Sequence, residues 1–162
     1  MVRHLFPSFH YDNDLWRANK VRNSWVTQDR DTAGFVDAAE WEEVKEEGES
    51  AIENWIDEQM SNTSVTVVLI GEKTHNRKWV NREIEKSVEK GKGLIGIHIH
   101  NLKDRDDNTC SKGPNPLSSH SMTVDSEERP LSDIYDTYDW ANDDGYNNLG
   151  SWVEDAASTA GR

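Results

Sequence analysis

The run Val65-Thr66-Val67-Val68-Leu69-Ile70 limits the fold more than any other segment. A strand with one wet face alternates apolar and polar residues, and this one is nearly continuous in apolar, mostly β-branched side chains. It needs cover on both faces, the habit of an inner strand in a parallel sheet. The segments around it supply such a sheet. Leu5, Phe6 and Phe9 mark a first strand that ends in the polar turn Ser8–Asp14, and Gly34-Phe35-Val36 a weak second one. Leu94, Ile95, Ile97 and Ile99 form the next strand after the central run, and Ile134–Trp140 a short last one. Between them lie helical patterns. Leu15, Ala18, Val21 and Trp25 recur at helical spacing over about Asn13–Trp25, with Asn13 or Asp12 as cap. Asp37–Met60 is acidic and helical in two pieces broken near Gly48, the second with a stripe of Ala51, Ile52, Trp55 and Ile56. A helix from about Asn76 to Lys90 turns Val80, Ile84 and Val88 toward the sheet, and Gly91 stops it. A final helix, roughly Asn142–Ala157, sets Tyr146, Leu149, Val153 and Ala156 on one face.

Strand–helix alternation around buried strands predicts a three-layer α/β fold of the flavodoxin-like class, a parallel sheet in the order 2-1-3-4-5 flanked by helices. Residues 1–157 read as one domain with a long polar loop at about 101–130, which carries Gly113, Pro114, Pro116 and Pro130, and 158–162 as a frayed tail. Pro7 is awkward in the first strand because proline cannot donate to a ladder, so the strand is expected to stop at Phe6 or bend there.

Composition removes several functions. The net charge of −13 comes without a basic block, which argues against nucleic acid and anionic membranes as partners. Hydrophobic content is only 34%, but seven tryptophans mark a folded chain. One cysteine, Cys110, leaves neither an internal disulfide nor a cysteine zinc site. The start Met1–Pro7 lacks a signal-peptide core and no run reaches membrane-spanning length, so a cytoplasmic protein is expected.

In a 2-1-3-4-5 sheet, ligands bind beyond the carboxyl ends of the first and third strands. That puts Ser8-Phe9-His10-Tyr11 beside Gly71–Glu83 in one crevice. Glu83 stands four residues after Trp79, hence on the same side of the helix. It is offset from the Val80/Ile84/Val88 stripe and is expected to border a pocket; the plainer reading is a solvated helical glutamate. Ser8, His10 and Tyr11 bring hydroxyl, imidazole and phenol to the rim, although such residues also cap helices and fill turns. A Ser–His nucleophile pair would need an orienting acid and an oxyanion hole, and spacing identifies neither.

Other candidates fail on order or composition. Gly91-Lys92-Gly93 follows a helix and precedes a strand, the reverse of a phosphate cradle. His98 and His100 share a face but have no third ligand at metal-binding spacing, and Asp104-Arg105-Asp106-Asp107-Asn108 lacks the glycine and terminal glutamate of a calcium loop, so no metal is expected. Phe9–Asp14 is not the hydroxyl- and glycine-rich loop of a flavin mononucleotide binder. The central strand ends Ile70-Gly71-Glu72, not in the aspartate of a phospho-acceptor receiver.

Taken together, several blocks carry a family resemblance: Ser8-Phe9-His10-Tyr11, Val21-Arg22-Asn23-Ser24-Trp25-Val26, Asn62 through Gly71, Asn76-Arg77-Lys78-Trp79-Val80-Asn81-Arg82-Glu83-Ile84, Gly96-Ile97-His98-Ile99, Ser111-Lys112-Gly113-Pro114-Asn115-Pro116, and Tyr138-Asp139-Trp140 with Asp143–Asn147. Spread over nearly the whole chain, they resemble the TIR-like domains, in particular those of the Thoeris antiphage-defence systems. The resemblance implies an enzyme that takes NAD as substrate, without a cofactor, and cleaves its nicotinamide–ribose bond. The family's catalytic glutamate, four residues after a helix tryptophan, maps to Glu83. Ser8, Phe9, His10, Tyr11, Asn76 and Trp79 are the implied substrate-binding residues. A cyclic ADP-ribose-type product, a viral trigger, a separate effector reached through that diffusible nucleotide, and assembly into a homo-oligomer are further implications. The chain departs from its relatives at Pro7 and in a shorter segment between Pro116 and Ile134. The alternative is a non-enzymatic TIR-like module that acts by self-assembly or partner recruitment.

Overall fold

A computed structural model describes residues 4–26 and 38–162. Its elements are β1 (Leu5–Ser8), α1 (Tyr11–Val26), α2 (Ala38–Glu46), α3 (Glu49–Met60), β2 (Val65–Ile70), α4 (Lys78–Glu89), β3 (Gly93–His98), β4 (Ser121–Val124), β5 (Glu127–Pro130), α5 (Leu131–Ile134), β6 (Thr137–Asp139) and α6 (Gly145–Thr159). Single 3₁₀ turns at Thr74–Asn76 and Pro116–Ser119 lie between them.

The main sheet is parallel in the order β1-β2-β3-β6, with Leu5 opposite Val65, Val65 opposite Gly93 and Gly96 opposite Thr137. These are the first, third, fourth and fifth strands of the expected order, in that sequence. The expected second strand, Gly34–Val36, lies outside the described residues. Every residue of β2 and β3 is buried, as an inner strand requires. Leu5 packs with Ala18, Val21 and Trp25 of α1 and with Leu149 and Val153 of α6 in one cluster, while Phe6 packs with Ile52, Ile56 and Met60 of α3 in another. Alternate side chains of β1 thus address opposite layers.

Glycines end two helices where anticipated: Gly48 separates α2 from α3 at φ 98°, and Gly91 follows α4 at φ 67°. Gly71, just past β2, has a different reason. A β-carbon there would meet the Asp14 carboxylate 2.1 Å away, and one on Gly113 would lie 2.1 Å from the Gly71 carbonyl. Helix, strand end and loop therefore meet in van der Waals contact at the carboxyl edge of the sheet.

Several expectations need correction. β1 runs through Pro7 to Ser8. Among the described residues it pairs on one side only, so proline forfeits little of the ladder. Ser8 accordingly ends a buried strand and is not a turn residue. Helix α1 begins at Tyr11, so neither Asp12 nor Asn13 caps it; His10 does, its Nδ1 accepting the Asn13 N–H at 3.1 Å. On α6, Tyr146 is 53% exposed and Trp152 takes the inward place, stacked on Tyr138 at 4.0 Å between ring centres. The polar 101–130 segment holds the antiparallel hairpin β4–β5, turned through Asp125 and Ser126 at positive φ, and Arg17 ties its start by donating to the Leu102 and Asn108 carbonyls. At the chain's end α6 continues to Thr159, and Arg162 donates to the carbonyls of Gly91 and Lys90, so the tail is anchored and not frayed. No described helix is long and apolar enough to cross a membrane.

Candidate functional site

The site grows from α4. Its buried residues are Val80, Glu83, Ile84, Lys86 and Ser87, while Val88 is only half-buried. Positions 80, 83, 84 and 87 make the i, i+3, i+4, i+7 stripe of a helix lying on a sheet. Glu83 is part of that stripe and is not offset from it, with 8% exposure. The neighbouring polar member, Ser87, is satisfied locally: its hydroxyl lies 2.8 Å from the Glu83 carbonyl and 2.6 Å from the Thr66 hydroxyl.

The Glu83 carboxyl crosses to the end of β1. Ser8 Oγ donates to its Oε1 at 2.9 Å, joining residues 75 apart in sequence. Burial of the carboxyl raises its pKa from the ordinary value to about 8, against the opposing pull of the Ser8 hydrogen bond. Glu83 is therefore mostly protonated at neutral pH in this conformation, and charging it requires a cation or water to come in.

Around the carboxyl stand Phe6, Pro7, Phe9, Tyr11, Trp41, Trp55 and Trp79, lining a cavity of about 40 Å³. That is room for a few water molecules. The rings form a ladder: Phe9 to Tyr11 at 6.2 Å, Tyr11 to Trp41 at 5.5 Å and Trp41 to Trp55 at 5.3 Å between centres. Helices α2 and α3 supply the two indoles, and their Nε1 atoms are buried without a hydrogen-bond partner among the described residues. An unpaired buried donor costs about 1–3 kcal/mol. Polar pairs lock α3 to α4 beneath this wall: Lys86 reaches Glu53 and Asp57, each at 2.8 Å, and Arg82 reaches Glu53 at 3.0 Å. Helix α2, by contrast, has α3 as its main described neighbour. The half-buried rings leave the cavity partly open to solvent.

Of the residues singled out in the sequence, Ser8, Phe9, Tyr11, Trp79 and Glu83 come together here. His10 and Asn76 do not line the cavity. His10 is spent on the helix cap, and burial together with the Arg77 guanidinium lowers its pKa, which keeps Nδ1 free to accept. Asn76 is exposed on the 3₁₀ turn ahead of α4, because that helix starts at Lys78 and not at Asn76. Trp41, Trp55, Phe6 and Pro7 were missed as lining residues; two tryptophans in strongly acidic helices were the available signal. His98 and His100 sit 5.8 Å apart at the end of β3, and no group of three or more His, Cys, Asp or Glu among the described residues is arranged to hold a metal ion.

Comparison with known proteins agrees with this geometry in extent and kind. Residues 6–104, which include both Ser8 and Glu83, match the family described as Thoeris protein ThsB, TIR-like domain. A protein of Bacillus cereus (strain MSX-D12) named "Putative cyclic ADP-D-ribose synthase ThsB1" is 38% identical over 191 aligned residues, covering 94% of this chain and all of the relative. The alignment is longer than this chain, so the relative carries insertions that are absent here.

Proposed function

The chain belongs to the Thoeris ThsB family of TIR-like domains, and from that membership and the Glu83 cavity we propose that it is an NAD-consuming enzyme that makes a cyclic ADP-ribose-type signal. The observation that carries this reading is one carboxyl, Glu83, buried among aromatic rings and held at 2.9 Å by the Ser8 hydroxyl at the carboxyl end of a parallel strand.

The chemistry needs little more. In NAD the nicotinamide is a cationic ring, and when the bond from its nitrogen to the ribose carbon breaks, the electron pair leaves with the nitrogen and the base departs neutral. No general acid is required. Positive charge moves onto the ribose as an oxocarbenium-like centre, the same kind of transition state as in glycoside hydrolysis. On this reading the Glu83 carboxylate stabilises that charge, in surroundings where one negative group is worth far more than in water. It must be ionised to do so, and the incoming cation supplies the attraction that offsets its burial. Capture of the ribosyl centre by a nucleophilic atom of the same dinucleotide, which gives up its proton, closes a ring; capture by water yields linear ADP-ribose.

The cyclic nucleotide would then act by diffusing to a separate effector. Turnover would await a trigger or self-assembly. A non-enzymatic interaction module would have no use for a carboxyl hidden from solvent, and Glu83 is hidden. The test is nicotinamide release from NAD by wild type and Glu83→Gln, each with and without lysate from phage-infected cells. Wild type should release nicotinamide in at least one condition and the variant in none; equal release from both would remove Glu83 from the mechanism.

A further inference from the structure

We propose that Lys45 of α2 and Arg77, at the start of α4, form the subsite for the diphosphate of the substrate, and that the Asp12 carboxylate now bridging them stands in for that anion until substrate displaces it. This rests on the reading of Glu83 as the carboxylate at the reacting carbon. Lys45 Nζ lies 3.7 Å from one Asp12 oxygen, and a terminal nitrogen of Arg77 lies 3.8 Å from the other. The three groups stand around the mouth of the Glu83 cavity. Asp12 follows Tyr11, a residue of the cavity wall, and Lys45 Nζ is 6.0 Å from the centre of the Tyr11 ring. Arg77 immediately precedes the helix that carries Trp79 and Glu83. Burial first, and the Arg77 guanidinium next, lower the His10 pKa, which places that cation beside the start of α1.

The bridge is loose. Direct charge-assisted hydrogen bonds span about 2.7–2.9 Å, so a single carboxylate here reaches between two cations without hydrogen-bonding to either. Lys45 also meets Glu42 of its own helix, at 3.5 Å. A diphosphate is the better match. It has two negative charges on two phosphoryl groups, one for each cation, and the guanidinium fork fits phosphate oxygens while the ammonium acts as a point charge. The order of groups agrees as well. In a nicotinamide dinucleotide the diphosphate is one ribose away from the reacting carbon, and these cations are one tyrosine ring away from the cavity that holds Glu83. Side-chain exposures of 36% for Lys45 and 46% for Arg77 leave both within reach of an anion from solvent. In a chain with a net charge of −13, most of the surface repels a dinucleotide, and a cation pair at the mouth gives it a local place to land.

The test compares binding of ADP-ribose, which has the diphosphate but no nicotinamide, with that of adenosine, which has no phosphate, by ligand-observed NMR, so that no turnover is needed. Lys45→Met and Arg77→Met should each weaken ADP-ribose about fivefold, the scale of one exposed ionic contact, and leave adenosine within about twofold. Lys20→Met, which removes the same charge from the exposed side of α1, should change neither. Asp12→Asn should tighten ADP-ribose about threefold by removing the competing carboxylate, and Glu42→Gln, which frees Lys45 alone, should do less. The bridging side chains and Glu42 are all at least one-third exposed, so these substitutions leave the fold intact. Undiminished ADP-ribose binding in both cation variants, an equal loss in Lys20→Met, unchanged or weaker binding in Asp12→Asn, or no binding by wild type and Asp12→Asn alike would overturn the assignment. Nicotinamide release from NAD is scored on the same proteins, and there the loss in Lys45→Met and Arg77→Met should lie in KM. ADP-ribose binding that depends on Lys45 and Arg77, with no release under any condition, would sink the enzymatic reading and leave the diphosphate subsite standing. Release by wild type whose KM is indifferent to both cations would do the reverse.

Discussion

Two glutamates on either side of helix α4 have the same side chain and opposite chemistry. Glu53, on α3, is about one-third exposed and receives Lys86 Nζ at 2.8 Å and Arg82 Nε at 3.0 Å; those bonds, that of Lys86 foremost, hold its carboxyl below the ordinary range. Glu83, next to Arg82 in sequence, has only the Ser8 hydroxyl among the described residues, and burial lifts it to about 8. Helical geometry explains the separation. Successive residues point about 100° apart, so the arginine beside Glu83 faces α3 while the glutamate faces β1. The seam of paired charges costs the protein little and joins two helices; the lone carboxyl is costly and pairs with nothing that would neutralise it. Environments that push like groups apart in this way are the mark of a site where one of them works.

Exchanging the two carboxyls for amides breaks this comparison most directly. Glu83→Gln should lower nicotinamide release at least about a hundredfold, the scale for losing a buried electrostatic stabiliser of a transition state. Glu53→Gln should leave release within about threefold, since only an exposed ion pair is weakened. Comparable losses in both variants would mean that the polarity of the α3–α4 seam, and not the isolation of Glu83, matters for turnover.

Stability against pH sharpens the same contrast. In the unfolded chain Glu83 ionises near the ordinary glutamate value, in the folded one near 8. Between those values the native state holds a proton that the unfolded state has lost, so stability is fully present below about pH 4.5 and drains away as pH rises through 8. Above that the cost of burying the charge is on the order of a few kcal/mol. The melting temperature of wild type, followed by circular dichroism, should therefore fall relative to that of Glu83→Gln between pH 6 and pH 9. Parallel curves would show that the carboxyl is ionised or hydrated throughout.

The parts of this arrangement that depend on local pattern were legible in the chain. The apolar run Val65–Ile70 announced an inner parallel strand, and Trp79 and Glu83, one helical turn apart, could be placed on one side of the helix that follows. What stayed hidden depends on distant partners. Glu83 looked peripheral because Val80, Ile84 and Val88 made a complete apolar stripe without it; only the Ser8 hydroxyl from another strand makes its burial tolerable. Ser8 in turn looked like a turn residue, because Pro7 suggested that the strand ended sooner. Trp41 was masked by the acidic residues around it, Trp55 read as an ordinary member of an apolar stripe, and His10 by its chemistry suggested catalysis where its position makes it a helix cap. The hairpin at Ser121–Pro130 is hard to read because its strands are short, β5 is exposed throughout, and only Met122 and Val124 of β4 turn inward.

A milder perturbation tests the one hydrogen bond that Glu83 does have. The Ser8 hydroxyl favours the charged form, so Ser8→Ala should raise the Glu83 pKa further. Turnover at neutral pH should drop about tenfold, the effect of one charge-assisted hydrogen bond, and the pH–rate profile should move to the alkaline side so that part of the loss is recovered as pH rises. A uniform loss at every pH would assign Ser8 to substrate contact and not to tuning the carboxyl.

The smallest effect belongs to the seam. Lys86→Met keeps the buried stem of the side chain but takes the ammonium from Glu53 and Asp57, whose carboxyls its hydrogen bonds hold below the ordinary range. Both carboxyls are at least one-third exposed, so water screens the loss. The expected destabilisation is about 1 kcal/mol, or about 2–4 °C in melting temperature for a chain of this size. Its sign with pH is the reverse of that for Glu83. Carboxyls with a depressed folded pKa contribute stability above their ordinary pKa and lose it as pH falls through the lower folded value, so wild type and Lys86→Met should differ at pH 7 and converge below about pH 4. A difference that instead grew in acid would mean that Lys86 supports the fold through its packed stem, and that the charges on the outer side of α4 are as dispensable to the structure as the carboxyl on its inner side is expensive.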